Sequence, residues 1–288
     1  MMRKILAPLL SVAALAAGAA PAHADSGWSL LNMPQGVTAM SRQIYGLHML
    51  MFWMCTAIAL VVFSVMAYSI FTFRKSRGAV PDTSMVHSTT VEIIWTLVPI
   101  AILVATAVPA ATTLIKTEDL RNSQLTVRVT AYQWGWNYEY LNSGVSFFSR
   151  LDRASDAARQ LGSGVDVTTI PHYLLNVDNP LVVPVGTKVR LLITANDVIH
   201  SWWVPQFGVK KDAIPGFVNE AWFNVDADKP GLYRGNCAEL CGRDHGFMPI
   251  VVDARPKEDF QSWLKAEQLQ QHPPEASAPA SAPAAAAP

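Results

Sequence analysis

One short stretch concentrates the chain's ligand chemistry: Cys237-Ala238-Glu239-Leu240-Cys241-Gly242-Arg243-Asp244-His245-Gly246-Phe247-Met248, with the spacing C-x3-C-x3-H-x2-M. A further histidine, His200, stands upstream in Val198-Ile199-His200-Ser201-Trp202-Trp203. Thiolate, imidazole and thioether donors together are soft or borderline ligands, and that mixture favours copper. A mononuclear blue-copper site needs one Cys, two His and a weak axial Met; this set holds one thiol more. Two thiolates can bridge two metal ions, each ion taking one terminal imidazole, with weak axial positions left for Met248 and a backbone carbonyl. Sharing one unpaired electron over two ions keeps bond-length changes small on reduction, which suits fast electron transfer. Two other readings compete. In an oxidising compartment Cys237 and Cys241 could form a plain disulfide, which leaves the spacing of His245 and Met248 to chance. Zinc could bind, but a thioether is a poor zinc ligand and zinc has no redox chemistry. The third cysteine, Cys55, lies in a long apolar run and reads as a packing residue.

The elements around this motif follow from composition. The chain has 288 residues, 51% of them hydrophobic and only 15% charged, against about 25% charged in an ordinary soluble protein. The apolar excess falls in the first 115 residues, which points to membrane segments. Lys plus Arg and Asp plus Glu are both 22; that balance argues against a nucleic-acid binder, which normally shows a basic face. Residues 1–24 read as a secretory signal peptide: Arg3 and Lys4, an apolar run, then Ala22-His23-Ala24 as a cleavage site. Residues 25–43 follow as an external N-terminal segment. Residues 44–73 and 93–115 contain no Asp, Glu, Lys or Arg and are long enough to span a bilayer, which takes about 20 residues. Pro99 and Pro109 in the second span are tolerated in membrane helices. Residues 74–92 between the spans carry Arg74, Lys75 and Arg77, which places this loop in the cytoplasm and the ligand motif outside. From 117 to 270 the pattern becomes a domain of short strands. Leu125-Thr126-Val127-Arg128-Val129-Thr130 alternates with period two, and Gly, Pro and Asn separate such runs, as in an antiparallel β-sandwich. A helix is expected over 256–270 with Phe260, Trp263 and Leu264 on one face. Residues 271–288, almost wholly Pro, Ala, Ser and Glu, cannot bury enough apolar area to fold.

The copper-type motif, with Phe247-Met248-Pro249-Ile250-Val251, resembles the CuA motif of cytochrome c oxidase subunit II. Asp197-Val198-Ile199-His200-Ser201-Trp202 and Asp212-Ala213-Ile214-Pro215-Gly216 are similar to that family too, as are Val91-Glu92-Ile93-Ile94-Trp95-Thr96 and Ala131-Tyr132-Gln133-Trp134-Gly135-Trp136-Asn137-Tyr138-Glu139-Tyr140. The match runs in order over residues 25–265. In the aromatic segment the family usually reads Trp-Tyr-Trp; here Gly135 takes the middle place. The resemblance implies an α+β membrane protein: a two-helix transmembrane hairpin followed by a cupredoxin-like antiparallel β-sandwich of Greek-key type.

The resemblance also implies roles. Cys237 and Cys241 would bridge two copper ions, His200 and His245 would be terminal ligands, and Met248 and the Glu239 carbonyl would be axial. The Glu239 carboxylate would bind a magnesium shared with subunit I. Trp134 would receive electrons from cytochrome c, with Glu139, Asp178 and Asp197 as docking acids for a basic donor. Glu92 would stand at the mouth of a proton channel of subunit I. The expected activity is that of a cytochrome c oxidase: electrons pass from cytochrome c to haem in subunit I, where oxygen becomes water and protons are pumped. No haem ligands or cytochrome c domain are visible here, so subunit I, together with subunit III, and a separate cytochrome c are expected partners. The expected place is a bacterial inner membrane with the copper domain on its periplasmic side. A lone membrane-anchored electron carrier or copper-delivery protein is the competing function; it leaves Glu92 and the Trp134 segment unexplained.

Overall fold

The computed structural model describes residues 31–80, 84 and 87–272. The expected signal peptide, and all but the first two residues of the Pro/Ala tail, lie outside this set. Two long helices open the described chain, α1 (Ala39–Thr72) and α2 (Thr89–Thr117). Both are apolar and long enough to cross a membrane, and their Leu, Ile, Val and Phe side chains point outward from the chain. At about 1.5 Å per residue each exceeds the roughly 30 Å hydrocarbon layer. Polar contacts join the hairpin where the first helix begins and the second ends: Gln43 Nε2 donates to Thr113 Oγ1 at 3.2 Å, and Thr117 Oγ1 meets Met40 Sδ at 3.3 Å.

Each helix begins earlier than the uncharged runs suggest. Thr38 caps α1 by accepting from the Ser41 N–H, and Ser41 closes the capping box. The helix therefore passes through Arg42, whose charge is met by Asp226 of the strand-rich domain that follows. Thr38 Oγ1 also donates to the Phe207 carbonyl at 2.9 Å, so the cap fastens the hairpin to that domain. In α2 the start at Thr89 puts Glu92 inside the first helical turn, where the helix dipole favours an acid.

Ten strands follow: β1 (Leu125–Tyr132), β2 (Gly135–Tyr140), β3 (Val145–Ser149), β4 (Leu181–Pro184), β5 (Val189–Ala195), β6 (His200–Val204), β7 (Val209–Ala213), β8 (Asn219–Phe223), β9 (Gly231–Cys237) and β10 (Pro249–Arg255). They form two five-stranded sheets, ordered β3-β2-β1-β5-β8 and β4-β10-β9-β6-β7. The alternation seen in the sequence is the inward face: Val127, Val129 and Ala131 on β1 and Val189, Leu191 and Ile193 on β5 are buried. Trp136, Tyr138, Trp202, Phe207 and Phe223 fill the space between the sheets. The sandwich differs from the expected one in strand direction at two places. β1 pairs with β5, and β4 with β10, in parallel. Period-two alternation reports only which residues face inward; direction depends on the connections, and parallel partners need long crossovers. A short helix, α3 (Arg153–Ala158), lies in the long segment between β3 and β4, and α4 (Lys257–Gln271) follows β10. Phe260 of α4 is buried, and Trp263 packs against Tyr140 with ring centroids 5.4 Å apart.

Candidate metal centre

Three pieces of chain meet at one end of the sandwich: the connection from β9 to β10, the start of β6 and the turn between β1 and β2. β9 ends on Cys237, a loop carries Cys241, a single 3-10 turn holds His245, and Met248 immediately precedes β10. β6 begins on His200, and the tight turn of the β1–β2 hairpin brings Gln133 and Trp134. The strand ends fix what the loop alone could not.

The two thiols are free, with their sulfurs 3.9 Å apart. His200 Nδ1 lies 4.0 Å from Cys237 Sγ, His245 Nδ1 3.5 Å from Cys241 Sγ, and Met248 Sδ 3.4 Å from Cys241 Sγ. The Glu239 carbonyl oxygen sits 3.3 Å from Cys237 Sγ. The ligand atoms of His200, Cys237 and Cys241 all lie within 4.8 Å of one another. Two metal–sulfur bonds of about 2.3 Å reach across the gap between the sulfurs, so the donor set fits thiolate-bridged metal binding. His200 is fully buried, Cys241 and Met248 nearly so, and His245 is half-buried.

Asp197 explains how His200 is oriented. Its carboxylate accepts from His200 Nε2 at 2.9 Å and from the Gln133 and Val198 backbone N–H groups, each at 2.7 Å. With the Nε2 proton given to Asp197, Nδ1 is left free toward the sulfurs. Burial tends to raise the Asp197 carboxyl, but the hydrogen bond from His200 and the two backbone donors hold it low. Burial also works against His200 carrying charge, yet Cys237 and Asp197 on either side raise it above its ordinary value. The thiols are split. Burial pushes Cys237 up, but His200 and nearby backbone groups outweigh it and bring the thiol down to about 7. Burial and the neighbouring Cys237 push Cys241 up to about 12.

Trp134 is half-buried beside these ligands. Its indole N–H donates to the Cys241 carbonyl at 3.2 Å, and the Gln133 side-chain amide donates to the same oxygen at 2.8 Å. Gly242, at φ 116°, makes the approach possible. A Cβ there would lie 2.9 Å from Gln133 Nε2 and 3.2 Å from the indole ring. Gly135 follows in a buried place where a Cβ would meet the Ser149 carbonyl oxygen at 3.0 Å, so the hairpin has little room for a middle aromatic.

The sequence pattern of the periplasmic domain of cytochrome c oxidase subunit II matches residues 125–255, and that of its transmembrane domain matches residues 26–112. A probable cytochrome c oxidase subunit 2 of Rickettsia prowazekii is 40% identical over 238 residues, 82% of this chain and 72% of the relative. The chain belongs to the cytochrome c oxidase subunit II family. The cytochrome c oxidase subunit 2 of Cereibacter sphaeroides is 34% identical over 269 residues, covering 88% of both chains. The crystal structure of the periplasmic domain of subunit II of cytochrome oxidase of Bradyrhizobium japonicum is similar at 38% identity, over 53% of this chain and 99% of that one, with a TM-score of 0.44.

A subunit II chain is a membrane protein with a copper-binding CuA domain, and it works in an assembly with other oxidase subunits. The other residues singled out from sequence are dispersed in this fold. The Glu239 side chain is exposed while its carbonyl turns toward Cys237. Glu139 faces Arg128 across β1 and β2 in an ion pair of 2.9 Å. Asp178, exposed, accepts from the backbone N–H groups of Arg150 at 2.7 Å and Asn179 at 2.8 Å. Glu92 belongs to the far end of α2, about 37 Å along the helix from Thr117 at 1.5 Å per residue.

Sequence reasoning passed over two residues that brace the subunit II ligand loop. Asp244, 9% exposed, precedes His245. Arg159, just after α3, reaches its carboxylate at 3.5 Å and lies 4.4 Å over the Phe247 ring. Asp244 was visible inside the motif as an acid next to a ligand. Arg159 had no local signal, since it stands 85 positions away.

Proposed function

We propose that this chain is the electron-accepting subunit of a haem–copper cytochrome c oxidase, taking electrons from cytochrome c and passing them to haem in subunit I for reduction of oxygen coupled to proton pumping. Its main support is the meeting of two free, buried thiols 3.9 Å apart with two imidazoles and a thioether at one end of the sandwich. Cys237, Cys241, His200, His245, Met248 and the Glu239 carbonyl would hold two copper ions, the thioether and the carbonyl more weakly than the thiolates and imidazoles. When bound, the copper pair supplies a one-electron acceptor delocalised across the thiolates.

The chain's own residues do the rest. Asp197 holds the His200 ring in place, and buried Trp136, whose ring meets His200 edge-on at 6.2 Å, excludes water from it. Trp134 offers an aromatic surface joined by a hydrogen bond to the backbone of Cys241, which shortens the gap between a docked haem edge and the sulfurs. Asp178 and Glu139 would take part in docking, and Asp197 both in docking and in orienting His200. The exposed Glu239 carboxylate is a hard oxygen donor suited to magnesium, shared with subunit I. Glu92, at the opposite end of α2, would take up protons at the mouth of a subunit I channel. The setting is a bacterial inner membrane, reached by way of a cleaved signal peptide, with the copper domain periplasmic and subunit III alongside.

The test uses the purified oxidase. A seven-line copper hyperfine pattern from one electron over two ions is expected, and a four-line mononuclear pattern would overturn the bridged pair. Trp134→Gln should leave that spectrum unchanged while slowing copper reduction by cytochrome c at least tenfold. Wild-type reduction rates in that variant would return Trp134 to a packing role.

A further inference from the structure

The surface around Trp134 is not uniformly acidic. Arg243, with its side chain 81% exposed, lays its guanidinium carbon 5.4 Å from the centre of the Trp134 ring. Its acidic neighbour, Asp244, stands at 3.4 Å but also pairs with Arg159 at 3.5 Å. Asp156 meets Arg159 more closely, at 2.7 Å, so Asp244 is the acid that faces Arg243, and it holds the exposed guanidinium only at 3.4 Å. Arg150 is exposed as well: its Cγ packs where a Gly135 Cβ would sit, its guanidinium lies over Phe148, and it makes no ion pair among the described residues. The acids nearby are already engaged. Asp197 accepts from His200 and two backbone N–H groups, and Glu139 is paired with Arg128. A partner reaching for the Trp134 ring therefore meets a guanidinium that keeps most of its five donors free.

We propose that Arg243 is a recognition point for a carboxylate at the haem edge of the electron donor, so that the docking face pairs charges of both signs. The inference rests on Trp134 being the point of electron uptake. A guanidinium presents a planar pair of N–H groups that matches a carboxylate geometrically, and here it is held on the ring the haem edge must approach. Two sources share that chemistry: an acidic side chain on the donor's rim or a haem propionate.

The experiment measures donor KM across an ionic-strength series for the whole oxidase, wild type and with Arg243→Gln, Arg243→Glu and Arg243→Lys. The probes are one cytochrome c whose haem edge is ringed by lysines and one ringed by carboxylates. Against the carboxylate-ringed donor Arg243→Gln should raise KM about three- to tenfold with a flatter salt dependence, and Arg243→Glu should raise it more, because exposed charges steer encounter in a screened way. Arg243→Lys should recover most of the charge effect but not all of the affinity. A rise with both donors assigns the carboxylate to the propionate; a rise with the carboxylate-ringed donor alone assigns it to a side chain. KM and salt slope equal to wild type with both donors in Arg243→Glu would overturn the inference. Trp134→Gln, measured alongside, keeps the two claims apart: slowed reduction there with an indifferent Arg243→Glu sinks only the Arg243 role, and unslowed reduction sinks the reading of Trp134.

Discussion

The two halves of the ligand pocket are built differently. On one side His200 begins a strand, is fully buried, and is oriented by Asp197 through its far ring nitrogen. On the other, His245 sits in a single 3-10 turn, half-buried, and its neighbours Asp244 and Phe247 are both held by Arg159. A ligand on a strand inherits its position from the sheet; a ligand on a loop keeps its position only as long as the loop does. The thiols follow the same division, with Cys237 on the His200 side low and Cys241 on the loop side high.

The comparison is broken most severely at the sulfurs. Cys237→Ser or Cys241→Ser should each abolish the shared-electron spectrum, because in the proposed site each thiolate would hold both metals; a surviving seven-line pattern in either variant would refute bridging. Acidity gives the next largest effect. Copper needs both thiolates, so loading must displace the Cys241 proton at any pH below about 12 and the Cys237 proton as well below about 7. Apparent copper affinity should fall about tenfold per pH unit near pH 9 and at least a hundredfold per unit below 7, where Cys237 and the raised His200 ring also hold protons, read by chelator competition on the apo protein. A single slope from 9 to 5 would show that the thiols are not split.

Asp197→Asn should lower copper affinity about tenfold, the usual scale for a partner that orients a metal-bound histidine, with the Cys237 transition moving upward as His200 loses its carboxylate. Arg159→Gln should do less: about a 1 kcal/mol loss of stability from a partly exposed ion pair and a cation–π contact, with copper loss accelerated a few-fold. If Arg159→Gln loosens copper more than Asp197→Asn does, the strand side is not the firmer half.

Much of this architecture was legible in the chain. The uncharged runs marked both long helices, and period-two alternation marked β1 and β5. Phe260, Trp263 and Leu264 marked the packed face of α4. The uncharged runs did not show where the helices start: α1 begins at Ala39 and passes through Arg42, whose charge is met by Asp226, 184 positions away. Asp197 read only as a surface acid, since nothing in local sequence shows that its carboxylate meets a histidine ring three residues on.

The sequence by itself determined the donor types, their spacing and the elements that carry them, because ligand chemistry and hydrophobic periodicity are local properties. Only the tertiary structure decided which groups converge. His200 comes from β6, Cys237 from β9, and Arg159 from the segment after β3. Their meeting depends on sheet order and crossover connections that long-range packing sets, as does the guanidinium lying on Trp134.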